Sequence, residues 1–523
     1  MMEHQNEIMM QPEMPEPALA MNPAETSGKI EKEVPPDPAA PLFERFSKYG
    51  AGCLLTGLFY AFCFYKNPNG ITWPFFLAAG FVLVCAAFQS LSVKIRKDSW
   101  FLATSILLIG VSMCRTDSLF LHTINRIALF FLLAFFLLHQ LCDDSGWDIG
   151  TAISSALRYA GGLFLLLPVP FSHGIRYFKT SRQGKKGPYA AAILGAFLSL
   201  PFVLIVVCLL GDADVVFNKL LVSALDGAVN PSSVSSVLFQ TVVSAAVFYC
   251  ILCSRYKMKF PEGVRDRRKG SPAFASGFLF TFAAAYLVFC AIQVVFLFLR
   301  KGTLPDGMTY AEYARQGFFQ LTFVIALNLA LVLGFLRYFR PAPYLKALLT
   351  TVSACTCVMI ASAACRMLLY ISVYRLTLLR LLVLWFLGTA AVFMAGVFLL
   401  IRKERFPLFR YGLVVVSVFY TALALSRPDA VIAAYNLTAP GHEAVGTSDL
   451  YYLQTLSLDA APAMEKYLKD SPELTEWYGG RDAYLAEFCR RAADGDGNAS
   501  LRTYNFSVGA ARKIYDARSV GPE

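Results

Sequence analysis

Charged residues are scarce in this sequence, and that scarcity excludes most soluble folds. Only 16% of the 523 residues are Asp, Glu, Lys or Arg, against about 25% in an ordinary soluble domain. Hydrophobic residues make up 56% of the chain, and its mean hydropathy is +0.52. A chain with this balance belongs to the class of integral membrane proteins.

The sequence also lacks the motifs of common energy-coupled or hydrolytic chemistry. It has no glycine-rich phosphate-binding loop that ends in Lys-Ser/Thr, no His-Glu-x-x-His pair and no Gly-x-Ser-x-Gly elbow. Its five histidines are scattered without the spacing of metal ligands. ATP-driven transport and zinc proteolysis are therefore disfavoured, and we expect neither a metal nor a cofactor.

A disulfide framework is absent as well. Of the 13 cysteines, only Cys489 lies beyond the last apolar run, and the others fall in or beside apolar segments, where thiols pack as small hydrophobic groups. The pairs Cys250/Cys253 and Cys355/Cys357 have spacings found in metal or redox sites, but neither has a His or carboxylate partner in its own segment. We interpret both pairs as packing residues.

Positive charge is present, but it is divided among short loops. The formal net charge is +11, and the Lys and Arg residues cluster between apolar runs instead of forming one basic face. Nucleic acid is therefore not a predicted partner. Clusters of this kind mark the cytoplasmic side of a membrane, because positively charged loops are hard to translocate. The clusters lie at about 94–97, 176–186, 255–269, 337–346 and 402–405.

Long apolar runs dominate the middle of the chain. A run of about 20 residues crosses the ~30 Å hydrocarbon layer as one helix, and such runs recur from Tyr49 to Leu425. They predict an all-α, polytopic transmembrane bundle with the lipid bilayer as its main partner. We predict spans at about 49–65, 72–93, 99–115, 119–141, 188–210, 233–254, 274–299, 317–336, 347–370, 376–401 and 409–426.

Residues 151–171 form a further apolar run. Whether this run crosses the membrane decides on which side the C-terminal segment lies. The run contains Arg158, Pro168 and Pro170, which suit a broken, re-entrant or interfacial helix. All basic clusters fall on one side only if this run does not fully cross. We therefore exclude it and predict about 11 spans, with the N-terminus cytoplasmic and the C-terminal segment extracytoplasmic. If it does cross, the first run, with its Asn67-Pro68-Asn69-Gly70 turn, closes a shallow hairpin instead.

Composition divides the chain into three parts. Residues 1–42 form an acidic, Pro-rich tail without apolar periodicity, which we expect to be disordered. Residues 43–426 form the membrane domain. In residues 427–523 charged residues return, and leucines at helical spacing predict a small soluble helical segment that docks on the membrane domain.

Polar residues within apolar spans are costly, so each one is a candidate functional residue. Arg366, near the end of its span, either reaches the interface or points inward to a carboxylate or an anionic ligand. Glu312 and Arg315 lie three residues apart at a membrane entry, where the simpler interpretation is a local ion pair. In the alternative, Glu312 is the partner of Arg366 or binds a proton or cation.

Two further positions carry candidate polar groups. Asp212 and Asp214 follow a predicted span, but carboxylates at i and i+2 point apart on a helix and make a poor acid/base pair. We expect one of them to cap a short helix that starts near Val215. Arg126, near the start of the fourth predicted span, is a further candidate for a polar interior.

Several separate segments of the chain share one resemblance. They are Asp212–Phe217, Tyr310–Phe319, Arg366–Ile371, Tyr374–Arg380, Tyr435–Asn436, Asp449–Leu453, Leu456–Pro462 and Tyr504–Ser507. Together, from about residue 190 to the C-terminus, they resemble the bacterial membrane family catalogued as domain of unknown function 4173. The family pattern favours Gly where this chain has Arg375. The resemblance implies a bacterial inner-membrane protein without an assigned activity.

These observations leave two hypotheses of function. The first is a non-enzymatic component of the inner (plasma) membrane, either a transporter or a sensor/regulatory protein. In it Arg366, Glu312 and Arg126 line a polar interior, and the C-terminal segment meets an extracytoplasmic ligand or partner. The second is a membrane enzyme acting on a lipid or cell-envelope substrate, with one of the acidic candidates as acid/base and Arg366 holding a phosphate. We favour the first, because the second needs a nucleophile or metal site that the motifs do not supply.

Overall fold

A computed structural model gives the fold of residues 39–183, 206, 210, 213–214, 231–261, 268–295, 318–439, 446–494 and 500–519. In these ranges the chain is helical and has no β-strand beyond an isolated bridge between Gly270 and Phe339. The α-helices up to residue 183 are α1 (Ala40–Glu44), α2 (Phe46–Phe64), α3 (Thr72–Ser90), α4 (Ser99–Arg115), α5 (Leu119–Leu141), α6 (Ile149–Leu166) and α7 (Pro168–Gln183).

The α-helices after residue 230 fall into a long and a short group. The long ones are α8 (Pro231–Lys257), α9 (Pro272–Gln293), α10 (Phe318–Tyr338), α11 (Pro343–Tyr374), α12 (Leu378–Arg402) and α13 (Leu408–Ser426). The short ones are α14 (Pro428–Thr438), α15 (Thr447–Gln454), α16 (Ala461–Tyr467), α17 (Pro472–Tyr478), α18 (Arg481–Asp494) and α19 (Phe506–Ser519).

Proline is the first residue of several of these helices. Pro231, Pro272, Pro343 and Pro428 are each the first residue of a helix. The first N–H of a helix has no partner within the helix, so a residue without an N–H is tolerated there and its fixed φ already suits the helix. The same residue type that would break a span therefore marks where several of these helices begin.

Nine helices in the described part of the chain are long and apolar enough to cross a membrane, and α4, with 17 residues, is a shorter apolar helix. The protein is therefore a polytopic, multi-pass helical membrane protein, as its composition predicts. The predicted span 188–210 lies outside the described residues apart from positions 206 and 210. Of the predicted tail, residues 39–42 are described, and they lead into α1, where Leu42 is fully buried.

The buried apolar side chains form two clusters, and each marks one bundle of helices. The first bundle is built mainly from α2–α6 and α8, with Ile106 and Tyr249 in its core. The second is built mainly from α9–α12, with Leu279 and Met359 in its core. Helix α13 contributes buried residues to both clusters. Because lipid is as apolar as these side chains, close packing between the helices is what holds each bundle together.

The loops at one end of the bundles, here called the basic end, are joined by ion pairs. These pairs are Arg410–Asp144 at 2.6 Å, Arg337–Asp148 at 2.9 Å, Lys346–Glu404 at 2.7 Å and Arg268–Glu404 at 2.9 Å. They connect the ends of α10, α11 and α13 with the loops that follow α5, α8 and α12. The described residues of the predicted cytoplasmic clusters near 96, 268, 337–346 and 402–405 thus gather at one end, as the positive-inside pattern requires.

The short helices α14–α19, here called the cap, pack on the opposite end. Their buried residues, among them Leu450, Met464 and Phe488, belong to the same continuous apolar cluster as α9–α12. The cap also contacts the first bundle, because Arg502 Nη1 donates to the carbonyl of Tyr65 at 2.7 Å, just beyond α2. The cap therefore lies on both bundles, at the end away from the basic loops.

Helices α6 and α7 contain the run 151–171, which is predicted not to cross the membrane. Residues Ile149–Tyr177 are long and apolar enough to cross. Their contacts, however, stay near one level of α8, since Tyr159 meets Ser254 at 3.3 Å and His173 meets Tyr249 at 2.9 Å. Both contacts are therefore made near the C-terminal end of α8. The exclusion of this run from the spans stays a prediction.

A glycine of α2 allows a close approach to α8. A Cβ placed on Gly57 would lie 2.3 Å from the carbonyl oxygen of Thr241 and 3.0 Å from the Cβ of Ala245, both in α8. Small residues of this kind let two helix backbones approach within a membrane. Gly52, five residues earlier on the same helix, has no neighbour within 4 Å of such a Cβ.

We predict that Gly57→Ala lowers the free energy of unfolding by about 1–3 kcal/mol, because the added methyl group must push α2 away from α8. The measurement is thermal unfolding of the purified protein in detergent. Gly52→Ala is the matched control and should be neutral or slightly stabilising, since Ala favours a helix by up to about 1 kcal/mol over Gly. Equal unfolding temperatures for the two variants would show that α2 and α8 do not pack at this distance.

Candidate functional site

Arg366, the leading sequence candidate, lies in the interior of the second bundle. It is 9% exposed, and its Nη2 donates to the side-chain oxygen of Gln293 at 3.0 Å. The Ser362 hydroxyl donates to that same oxygen at 2.7 Å. One amide oxygen of α9 therefore ties two polar side chains of α11 near the cap end. The side chain is largely buried, and a charge buried in a span needs hydrogen bonds from its neighbours.

The other sequence candidates are not gathered around Arg366 in the described part of the chain. Arg126 is exposed and donates to the side-chain oxygen of Asn69 at 3.1 Å, so it lies on the outer surface rather than in a polar interior. Asp214 is exposed, and its N–H donates to the carbonyl of Leu210 at 2.9 Å.

The remaining candidates, Asp212, Glu312 and Arg315, lie outside the described residues. A contact between Glu312 and Arg366 therefore stays a prediction.

A second polar site, which the residue patterns did not single out, lies where the cap meets the membrane helices. Its centre is Asp459, which is fully buried in a 3₁₀ turn of the cap. The carboxylate accepts hydrogen bonds from the Thr116 hydroxyl at 2.5 Å, from the Asp117 N–H at 2.8 Å and from the Ser507 hydroxyl. Thr116 and Asp117 form the loop between α4 and α5. The carboxylate thus joins the first bundle to two parts of the cap.

Arg427, between α13 and α14, belongs to the same site. This site, with Asp459, Thr116, Asp117 and Ser507, is here called the junction. Its Nη2 donates to the backbone carbonyl of Asp459 at 3.2 Å and to the Ser507 hydroxyl at 2.7 Å. Its backbone has φ +54°, a left-handed conformation that is costly for a residue with a Cβ. The left-handed turn reverses the chain from the last span into the cap.

Arg375, between α11 and α12, likewise has a positive φ and connects the second bundle to the cap. It has φ +67°, and its guanidinium lies 3.0 Å from a carboxylate oxygen of Asp449 and donates to the carbonyl of Asn436 at 3.0 Å. The Asn436 amide in turn accepts from the N–H of Leu376 and donates to its carbonyl, at 2.8 and 2.9 Å. Arg375 thus takes a positive φ that glycine adopts more readily, and its side chain holds the cap.

Two further carboxylates surround Asp459, and both lie outside the spans. Burial raises the pKa of Asp117 above its ordinary value, and the nearby negative charge of Asp459 raises it further. Burial also raises the pKa of Asp429, although the Ser457 hydroxyl and N–H donate to its carboxylate at 2.5 and 3.1 Å and partly oppose the shift. The junction therefore concentrates acids that resist ionisation.

The chemistry of the junction is that of a hydrogen-bonded contact. In the part of the chain that the structure describes, no group of three or more His, Cys, Asp or Glu side chains has the geometry of a metal site. The donors to Asp459 are hydroxyl and backbone groups that hold its charge in place. The segments Leu456–Pro462 and Tyr504–Ser507, which carried the family resemblance, contain Asp459 and Ser507, so a signal for these two residues was present in the sequence.

Comparison with known proteins places the chain in a family. Residues 103–467 match the family described as "Domain of unknown function (DUF4153)". The chain belongs to this family. The predicted family number, 4173, is therefore corrected, whereas the expectation of a family without an assigned function agrees with the match. No curated protein and no solved structure matches the chain. The matched region contains Asp117, Arg375 and Asp459, and it ends before Ser507.

The left-handed backbone of Arg375 predicts an order of stability among its variants. Arg375→Gly and Arg375→Ala lose the same side-chain contacts, but only alanine keeps a Cβ at φ +67°. We expect Arg375→Ala to be less stable than Arg375→Gly by about 1 kcal/mol, because the left-handed conformation costs a residue with a Cβ about 1–2 kcal/mol. Thermal unfolding in detergent measures the difference, and Asp449→Asn serves as a control that removes the ion pair without changing the backbone. An alanine variant as stable as the glycine variant would contradict this account.

Proposed function

We propose that this protein is a non-enzymatic sensor/regulatory component of the inner (plasma) membrane. In this proposal the cap responds to conditions, or to a ligand or partner, on the extracytoplasmic side and passes the change to the membrane helices. The observation that carries the proposal is the burial of Asp459 at the junction, where the cap and the α4–α5 loop share one carboxylate. Arg375 connects the cap in the same way to the second bundle. A shift of the cap must therefore break or rebuild contacts with both bundles.

The charge pattern supports this orientation. The basic loops gather at the end opposite the cap, and positively charged loops are retained in the cytoplasm. In the proposed topology the basic end is cytoplasmic and the cap is extracytoplasmic. In this topology the segment α6–α7 stays on the cytoplasmic half and is not counted among the spans.

A transporter is the less favoured form of the non-enzymatic hypothesis. Transport needs a polar site near the middle of the bilayer. Asn328, near the middle of α10, is instead paired inside the protein with the Tyr286 hydroxyl at 2.7 Å and the Thr356 hydroxyl at 3.1 Å. The cavity of about 400 Å³ between α3, α5, α6 and α8 is lined by apolar side chains. Among the described spans these features provide packing rather than a route for a polar solute.

The alternative of a membrane enzyme acting on a lipid or cell-envelope substrate rests on Asp212, Asp214 or Glu312 as acid/base and on Arg366 as a phosphate-binding group. Asp212 and Glu312 lie outside the described residues, and Asp214 is exposed. The junction carboxylate of Asp459 is fully buried and already accepts three hydrogen bonds. We therefore retain the sensor/regulatory proposal.

The proposed topology predicts which engineered cysteines an impermeant maleimide reaches in intact cells. Asp470→Cys, exposed on the cap, should be labelled from outside. Ser145→Cys, exposed at the basic end, should be labelled only after the membrane is permeabilised. The unmodified chain gives the background, and its described cysteines are buried or half-buried. The opposite labelling pattern would reverse the proposed orientation.

The raised pKa values of Asp117 and Asp429 predict that acid tightens the junction. When burial raises the pKa of an acid, the docked state binds more protons than the open state, so docking strengthens as the pH falls through the raised pKa. We expect the backbone amides around Asp459 to exchange more slowly with deuterium at pH 5 than at pH 7, after correction for intrinsic exchange. Hydrogen exchange with mass spectrometry measures this.

Two isosteric variants test whether these acids cause the effect. The double variant Asp117→Asn/Asp429→Asn should dock at pH 7 at least as tightly as the unmodified protein does at pH 5 and should lose the pH dependence. Asp470→Asn, an exposed carboxylate of the cap, should retain it. If the double variant responds to pH as the unmodified protein does, the two acids are not the responsive groups and the regulatory role of the junction is not supported.

A further inference from the structure

A cavity of about 550 Å³ opens at the basic end, between the two bundles. Its polar lining includes three arginines, Arg268, Arg337 and Arg405, and its apolar lining comes from α10, α12 and α13, with Leu333, Leu400 and Phe409 as examples. The volume falls within the range of about 300–1,000 Å³ that is typical of ligand pockets. The cavity lies at the opposite end of the molecule from the cap junction and plays no part in the proposed regulatory contact.

The charges at this cavity do not cancel. The carboxylates in its lining are Asp148 and Glu404. Arg337 pairs with Asp148 at 2.9 Å, and Arg268 and Lys346 both pair with Glu404, at 2.9 and 2.7 Å.

Arg405 also lines the cavity, and its side chain is exposed. Three cationic side chains of the lining therefore stand against two carboxylates, and the excess favours a ligand with negative charge.

Arg337 has hydrogen-bonding capacity left for such a ligand. Its Nη1 meets Asp148, whereas its Nε is buried and meets no acceptor in the described part of the chain. A buried donor without an acceptor is unfavourable, and a bound anion or water in the cavity would relieve it. A guanidinium also presents its N–H groups in a fixed planar fork, which matches the oxygens of a phosphate.

The first turn of α6 fixes the position of the Arg337 guanidinium. Asp148 is the N-cap of this 18-residue helix and accepts from the Thr151 N–H at 2.8 Å. A Cβ on Gly150 would lie 2.4 Å from Arg337 Nη1, so the guanidinium packs directly against the backbone of the first turn. Asp148 already caps the helix, so the donors that remain for an anion at this side of the cavity are those of the guanidinium.

We infer that this cavity binds a phosphate-bearing anion. The guanidiniums of Arg337 and Arg405 hold the phosphate group, and the apolar side chains of α10, α12 and α13 contact the organic part of the ligand. Three arginines and an excess of positive charge suit a phosphate better than a single carboxylate, because phosphate carries more charge and more acceptor oxygens. The phosphate comes either from the headgroup of an anionic phospholipid or from a soluble phosphate ester.

Native mass spectrometry of the delipidated full chain in detergent tests the inference. The probes are phosphatidylglycerol, phosphatidylcholine of the same chain length, and glycerol phosphate. We expect the unmodified protein to retain phosphatidylglycerol or glycerol phosphate in preference to phosphatidylcholine. Competition by glycerol phosphate identifies a soluble ligand, whereas retention of phosphatidylglycerol without such competition identifies the lipid headgroup.

Three substitutions distinguish this cavity from the general charge of the basic end. Arg337→Gln and Arg405→Gln should each weaken binding about tenfold, because each removes one charged donor. Arg402→Gln removes an exposed charge three residues from Arg405 but outside the lining, and should change binding less than twofold. Since Arg405 is exposed, its variant should fold even if Arg337→Gln does not. Equal retention of the two lipids without glycerol phosphate binding, or equal affinities of the Arg405→Gln and Arg402→Gln variants, would overturn the assignment.

Discussion

A carboxylate that is removed from water must find hydrogen-bond donors in the protein, because an unpaired buried charge costs several kcal/mol. The Asp459 carboxylate meets this requirement with donors from two separate parts of the chain, the α4–α5 loop and the start of α19. Removal of either part would leave the carboxylate short of donors. The hydrogen bonds of this carboxylate therefore fix where the cap meets the α4–α5 loop.

The two arginines that hold the cap show how local strain and tertiary contact are balanced. Arg375 and Arg427 both have positive φ values, at the turns that end α11 and α13. Glycine would adopt either turn at no steric cost, but it has no side chain to reach the cap. The guanidinium contacts offset the backbone cost, and the strain is confined to the turns where the chain leaves the membrane. Both arginines also bring positive charge to an end of the molecule that lacks the basic clusters.

Within the spans, two asparagines each connect hydroxyl groups of neighbouring helices. Asn125 joins the Ser112 and Tyr420 hydroxyls in the first bundle, at 3.2 and 2.6 Å, and Asn328 does the same for two hydroxyls in the second. Such pairs specify which helices are neighbours, because lipid offers no hydrogen bond in exchange. The ion pairs at the basic end and the buried acids at the junction then set the chemical character of the two ends.

The sequence by itself determined the class of the protein and the positions of nearly all described spans. It also determined that the basic loops lie at one end. Hydropathy and charge are properties of short segments, so they can be read without knowing which segments meet. The junction depends instead on contacts between distant positions, since Thr116 and Asp459 are 343 residues apart. Nothing in the loop Thr116–Asp117 marks it as the partner of a buried carboxylate. Only the tertiary structure decided that pairing, because a hydrogen bond requires two groups within about 3 Å.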